Sequence, residues 1–297
     1  MTHSDFTKIF INLKERMIII FNLKNNFANS KSIPIFDKNL IGYFREENNG
    51  FISFSTKDNY QYPILLNKSS LDIIAMFDGT LSLKAIIKKL IDKYGIENKK
   101  LIEKDVYNII LKLWTLGLIK WKNRRTPYME NFKYKINESI YIEVAFDNNL
   151  SKIYNFLKND DIASYEYTSP LSENDWKDNY ILRSSLFNMN SIILMICFED
   201  KLEGVIILSP QNLKATSLKI EYMKLKNIDL LKNIFYNINR IVKDVAIKKY
   251  SKIYLYTRID NANDSLLSKQ ISNIFIDVCT LKKEINNLNL EMYEYYL

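Results

Sequence analysis

The stretch LKIEYMKLKNIDL, residues 218–230, decides how the second half of this 297-residue chain is read. Residues 218–225 read as a strand, and Asp229 is a good N-cap for a long helix over 229–249. The link between them contains no glycine. Working outward, the preceding elements are a strand over 140–146 and helices over 150–158 and 172–186. A hairpin over 191–198 and 203–208 then turns at Glu199-Asp200-Lys201. Downstream come a strand over 253–258, the polar loop Asp260-Asn261-Ala262-Asn263, a helix over 264–274, and strands over 276–281 and 290–296. The order β-α-α-β-β-β-α-β-α-β-β implies one mixed α/β domain over 138–297.

Composition excludes several function classes. Apolar residues make up 47% and charged residues 26%, as in ordinary globular domains, and 13% aromatic content argues against disorder. The length predicts two domains. A single histidine, His3, excludes histidine triads and histidine metal sites. Cys197 and Cys279 allow no zinc set, and both sit in apolar stretches that read as buried, inert thiols. No metal site is expected. No run approaches the ~18 apolar residues of a membrane span, and the opening residues do not form a signal peptide. The expectation is a soluble cytoplasmic protein.

Charge and glycine are divided unevenly. Residues 1–130 hold 21 Lys and Arg against 13 Asp and Glu, whereas residues 131–297 hold 21 of each, so the whole net charge of +8 lies in the first half. Such a half either meets something acidic or carries a solvated basic face. Five of the six glycines also lie there; Gly204 alone falls in the second half, which therefore has no Gly-rich phosphate loop.

Residues 1–38 read as an N-terminal extension. Strands are expected over 40–45, 51–54 and 62–66, the first two joined by the turn Asn48-Asn49-Gly50. Pro63 marks the third as an edge strand. Three helices follow: the first capped by Ser69 or Ser70 and ending at Asp78-Gly79, the second capped by Ser82 and stopped by Gly95. The third buries Val106, Ile109, Ile110, Leu113 and Leu116 before Gly117. Leu118-Ile119 leads into an exit strand. The result is an α+β, winged-helix-like unit over 39–122. A basic, proline-stopped connector begins the linker, residues 123–137.

The motifs Leu66-Asn67-Lys68-Ser69, Asp78-Gly79, Ser82, Tyr94, Asp105-Val106 and Gly117-Leu118-Ile119, in order, resemble a PqqD-like domain. This is the recognition element that binds precursors of ribosomally made, post-translationally modified peptides (RiPPs). The resemblance covers residues 40–122. It implies that a precursor's leader segment adds as a strand to the sheet edge and packs against the third helix, with Tyr60, Tyr62, Ile64, Asn108 and Lys112 lining the groove. Ile109 and Leu113 read as core.

The second half resembles the GNAT acyltransferase superfamily. The resemblance rests on the hairpin with Gly204, on Lys252-Ile253-Tyr254-Leu255 followed by an Asn-rich loop, and on the ending from Thr280-Leu281-Lys282 to Glu291-Met292-Tyr293. It implies an acetyl-CoA or other acyl-CoA donor, with Met223, Leu225, Lys226, Asn227 and Asn261 beside it. Glu221 would be the base, and a strand N–H near Met223 would hold the oxyanion. Two departures stand out. The segment Lys224-Leu225-Lys226-Asn227-Ile228-Asp229-Leu230 lacks the glycines that cradle a pyrophosphate. It also sets Asp229 where that anion would lie, offset in part by Lys224, Lys226 and Lys232. Where the superfamily often has a tyrosine acid, this chain has Ser268 and Lys269.

Together these readings point to a peptide-maturation N-acyltransferase that binds a leader peptide and acylates the tethered core. One alternative is a non-catalytic scaffold presenting the peptide to a separate RiPP-modifying enzyme. The other is a winged-helix nucleic-acid-binding protein, which Glu103 and Asp105 on the third helix oppose.

Overall fold

The computed structural model describes residues 30–47, 50–57, 59–122, 132–159, 165–187, 191–212, 215–245, 249–259, 261–285 and 288–297. The chain divides into two compact units, Met1–Glu130 and Asn131–Leu297.

In the first unit, strands β2 (Ile41–Glu46), β3 (Ile52–Thr56) and β4 (Asn59–Leu66) form an antiparallel sheet in the order β2-β3-β4. Helices α1 (Lys68–Ile74), α2 (Leu83–Tyr94) and α3 (Lys99–Thr115) follow. The cap of α1 is Asn67 rather than Ser69 or Ser70. Its Oδ1 accepts from the Ser70 N–H at 2.9 Å and from both serine hydroxyls. Ser82 caps α2 as expected, accepting from the Ala85 N–H at 3.3 Å, and Gly95 ends it at φ +94°. Helix α3 buries Ile102, Val106, Ile109, Ile110, Leu113 and Trp114 on one face. Leu113 is fully buried, which leaves its side chain to the core.

Part of the stretch read as an N-terminal extension belongs to this unit. Strand β1 (Pro34–Phe36) pairs antiparallel with the exit strand β5 (Ile119–Trp121), and the Leu83 N–H donates to the Ser32 carbonyl. A three-residue strand that begins with proline carries no alternation to read, so only its distant partner reveals it.

The second unit is built on one nine-stranded sheet among the described residues. Its strands are β6 (Lys133–Lys135), β7 (Ile140–Val144), β8 (Tyr165–Thr168), β9 (Ile192–Phe198), β10 (Lys201–Pro210), β11 (Ser217–Leu225), β12 (Lys252–Arg258), β13 (Ile276–Ile285) and β14 (Leu288–Tyr296). The main order is β13-β14-β12-β11-β10-β9-β7-β6, with β8 on a side of β11. The helices are α4 (Leu150–Lys158), α5 (Asn179–Phe187), α6 (Leu230–Val245) and α7 (Ala262–Ile271). One apolar cluster joins the sheet to α6 and α7 through Leu231, Ile234, Phe235, Ile238, Leu267 and Ile271; a second joins it to α4 and α5 through Ile153, Leu157 and Leu182.

Four expectations are corrected here. Strand β6 lies in the stretch read as linker and pairs with β7. Strand β8 lies where no element was read. Helix α5 starts at Asn179, not Ser172: Asp178 caps it by accepting from the Ile181 N–H at 3.0 Å, while Asp175 takes the Lys177 N–H and holds the preceding chain in a turn. Cys197 is buried but Cys279 is exposed, since β13 is the sheet's edge strand. Gly204 is required sterically: a Cβ there would meet Leu225 Cδ2 at 2.4 Å and the Lys224 carbonyl at 3.2 Å.

Candidate functional site

Two strand edges carry the features that the sequence singled out, one in each unit.

In the first unit β4 pairs only with β3 among the described residues. Hydrogen-bonded positions on an antiparallel ladder alternate, and here the alternation can be followed. The Glu47 N–H donates to the Phe51 carbonyl, which makes Arg45–Ser53 a hydrogen-bonded pair of β2 and β3. Ile52 and Phe54 therefore turn their backbone groups to β4, onto Leu66 and Ile64. Pro63 and Leu65 then face the other way. The missing N–H of Pro63 costs the ladder nothing, and Leu65 points a donor and an acceptor outward. The Leu65 side chain is 56% exposed.

Beside the C-terminal end of β4 is a cavity of about 160 Å³. Asn67, Ser70 and Ile73 of the α1 region line one wall, and Asp105, Asn108 and Lys112 of α3 line the other. Asn108 and Lys112 thus lie together, as the sequence suggested. Ile64 does not join them: it is buried against the core opposite Phe54. Tyr60 and Tyr62 lie in β4, but their side chains are outside the described set. Ile109 is buried and reaches the cavity floor.

In the second unit the chemistry gathers on β11. The strand runs parallel to β12 only over Ser217–Lys219. Beyond that its edge passes to β8, which pairs antiparallel with Tyr222–Leu225. On its opposite side, β11 carries a bulge. Ile207 faces Tyr222 and Leu208 faces Ile220, so Glu221 is the extra residue. The bulge switches the side-chain faces: Leu218 and Ile220 lie with Met223 and Leu225 in the α6 cluster, while Tyr222 joins the opposite one.

Glu221 is 7% exposed, and its Oε1 lies 3.1 Å from the Lys219 ammonium. The Lys219 Nζ also donates to the Leu171 carbonyl at 3.1 Å. Glu221 Oε2 is buried without a hydrogen-bond partner among the described residues. The one catalytic residue expected from the sequence thus stands buried, with one oxygen on Lys219 and the other unpartnered among the described residues.

The expected donor-binding residues are otherwise engaged. The Ser169 N–H donates to the Glu221 carbonyl at 2.9 Å, so by alternation Met223 and Leu225 turn their backbone groups to Tyr167 and Tyr165. The Met223 N–H is therefore committed to β8, not to an oxyanion. The Lys226 ammonium pairs with Glu203 Oε1 at 2.8 Å. Asn227 Oδ1 accepts from the Asp229 N–H, and the Asp229 carboxylate accepts from Gln270. Asn261 Oδ1 accepts from the Asp264 N–H. Lys224 points away from this end of the strand: fully buried, it donates to the carbonyls of Leu157 and Asn159 at the end of α4. That location favours a cation. Ser268 donates to the Asp264 carbonyl. The residues present do not fit an acyl-CoA: the amides lack a glycine cradle and the strand edge is already paired.

Sequence reasoning missed Tyr167. It is 1% exposed and stands between the diverging strands, where its hydroxyl donates to the Tyr256 carbonyl of β12 at 2.6 Å. Burial pushes this hydroxyl far above the ordinary tyrosine range. Its neighbour Glu166 accepts from the Tyr222 hydroxyl and pairs with Lys177. The alternation Tyr165-Glu166-Tyr167-Thr168 was the signal available. Among the described residues no group of three or more His, Cys, Asp or Glu side chains is placed to hold a metal, and no helix is long and apolar enough to cross a membrane.

No family model matches the chain. Among curated proteins it is 22% identical over 283 residues to a lysine–tRNA ligase of Borreliella burgdorferi, covering 93% of this chain and 47% of that one. It is 24% identical over 242 residues to the corresponding ligase of Borrelia garinii subsp. bavariensis, covering 81% and 39%. The chain thus spans less than half the length of the curated relatives it matches. Among solved structures, an acetyltransferase of Salmonella typhimurium that modifies the N-terminal serine of ribosomal protein L7/L12 is 11% identical, with a TM-score of 0.41, covering 56% of this chain and 99% of that one. A ribosomal-protein-S5-alanine acetyltransferase of Vibrio fischeri is 12% identical at a TM-score of 0.41, covering 56% and 96%. A microcin C7 self-immunity acetyltransferase, solved with acetyl-CoA and AMP, is 18% identical at 0.38, covering 55% and 95%.

Proposed function

We propose that this protein takes part in peptide maturation. Its first unit captures the leader of a precursor peptide, and its second, GNAT-like unit acts on the tethered peptide as an N-acyltransferase. The observation that carries the reading is the outer edge of β4. A strand that pairs on one side only among the described residues, with the Leu65 N–H and C=O turned outward beside a mixed polar and apolar cavity, supports addition of an extended peptide. Each added backbone bond contributes only about 0.5–1.5 kcal/mol, so the α1–α3 cavity supplies the selectivity. The basic balance of the first half favours an acidic leader. For the second unit, the support is its order of elements and the half-paired, buried Glu221 on a bulged strand.

A specific observation favours a second reading. With β8 on the edge of β11 and no glycine cradle, the second unit suits a non-catalytic scaffold that presents the peptide to another enzyme.

The test is calorimetric titration of the full chain with acidic leader peptides taken from any short open reading frames found beside its gene. Leu65→Pro removes the outward N–H without touching the β3 ladder. Binding that weakens at least tenfold, with the melting temperature unchanged, supports capture at this edge. Equal affinity for both proteins, or none for the wild type, sinks it.

A further inference from the structure

The main path of the nine-stranded sheet ends on two strands of different build. At one end β6 is three residues long and exposes Lys133 and Lys135. Short, charged edges of this kind discourage a second chain. At the other end β13 is ten residues long, and its segment Ile276-Asp277-Val278-Cys279-Thr280-Leu281 holds one charge and no lysine, arginine or proline. Among the described residues it pairs with β14 alone. Residues 276–280 are all exposed, Ile276 at 59% and Val278 at 44%. A long, exposed, apolar edge is a template for another strand.

Which backbone groups β13 offers follows from alternation. The Leu297 N–H donates to the Ser251 carbonyl and the Ile259 N–H to the Asn289 carbonyl, so odd-numbered residues of β14 bond to β12. Leu290, Met292 and Glu294 then turn to β13, onto Leu281, Cys279 and Ile276. Thr280 and Lys282 therefore direct N–H and C=O outward. Val278 is the extra residue of a bulge. Asp277 and Lys282, opposite Tyr293 and Asn289, consequently share one face of the sheet, and Cys279 and Leu281 share the other.

We propose that β13 pairs antiparallel with β13 of a second copy of this chain, about a two-fold axis through Thr280. In that register the two Thr280 residues exchange N–H to C=O bonds. Cys279 of each copy stands against Leu281 of the other, and each exposed Lys282 meets the bulge that carries the other copy's exposed Asp277. The strand complements itself: apolar faces apolar and the acid faces a lysine, each pair made twice. An axis through Lys282 would instead set two ammonium groups together. A two-fold contact uses the same patch on both copies and closes, so it yields a dimer and not a filament.

The experiment is analytical ultracentrifugation of the full chain over a range of concentrations, with reductant present. A reversible equilibrium of monomer and dimer is expected. Thr280→Pro removes the outward N–H at the axis without touching the β14 ladder, and should weaken dimerisation at least tenfold. Should that variant fail to melt cooperatively, Thr280→Asp replaces it, setting two carboxylates together at the axis, with the same loss expected. Asp277→Lys should weaken the dimer a few-fold, and adding Lys282→Asp should restore it. The register is read by cross-linking. Leu281→Cys meets the other copy's Cys279 where the backbone does not bond, which brings the side chains close. Mild oxidation should therefore link its copies. Wild type should link far less, because its two Cys279 thiols stand on a diagonal. A chain that stays monomeric at every concentration, a dimer that the Thr280 variants leave intact, a charge swap that restores nothing, or equal cross-linking of wild type and Leu281→Cys overturns the proposal.

Discussion

The two units present the same physical object, the edge of a β-strand, in opposite conditions. In the first unit the outer edge of β4 faces no described strand, and the cavity beside it mixes polar groups with the buried Ile73 and Ile109. In the second, the corresponding edge of β11 is covered by β8 and backed by buried charges, each committed to a partner. An open edge keeps its hydrogen-bonding capacity for a guest. A closed edge has spent that capacity within the chain and must be opened before it can serve one. Substitutions near β11 should therefore be felt in stability, and those near β4 in binding.

The largest effect should come from Glu221→Leu. It leaves the buried Lys219 without its carboxylate, and breaking such a pair costs about 3–5 kcal/mol. Urea unfolding of the full chain measures it. A loss below ~1 kcal/mol would mean that water already reaches this pair and that the edge is more open than described.

Lys224→Ala comes next. It removes the donor shared by the Leu157 and Asn159 carbonyls and leaves a void, at about 2–3 kcal/mol. A loss of that size with acetyl-CoA affinity unchanged would place Lys224 in the scaffold that fixes α4. An affinity change larger than the stability change would return it to the donor site.

The smallest effect belongs to the first unit and depends on pH. A hydrogen bond from Lys120 beside β1 and β5 holds the Asp37 carboxyl below its ordinary range. The folded value lies below the unfolded one of about 3.9. Its contribution is thus fully present above that value and is lost as pH falls through the folded pKa. With Lys120 largely exposed, screening limits it to about 0.5 kcal/mol. Asp37→Asn should lower the melting temperature slightly at pH 7, and the difference should shrink as pH falls below about 3.9. A difference that does not shrink on acidification would assign the effect to the Asp37 bond with the Asn39 N–H.

Legibility in the sequence followed the length of the signal. Helices α2, α3 and α6 and the hairpin of β9 and β10 carry apolar periods long enough to read, and Ser82 and Gly95 mark their boundaries chemically. Strands β1, β6 and β8 are three or four residues long and earn their identity from partners far along the chain. Asn108 and Lys112, which the resemblance put in one groove, do share one face of α3, because they stand four residues apart on it. Ile64 was misplaced because the face of a strand residue depends on the cross-strand register, and Met223 because the use of its N–H depends on what lies alongside.

What the residues alone determined is the order of the longer elements, the division of charge between two units, and the absence of a glycine cradle after β11. Each is local, written in period, caps and composition. What the tertiary structure alone decided is which backbone edge is paired among the described residues and which is not. That depends on pairing between segments more than fifty residues apart, Tyr165–Thr168 with Tyr222–Leu225, and on a bulge at Glu221 that exists only relative to β10. Hydrogen-bond pairing is a relation between strands, and no single stretch of sequence contains it.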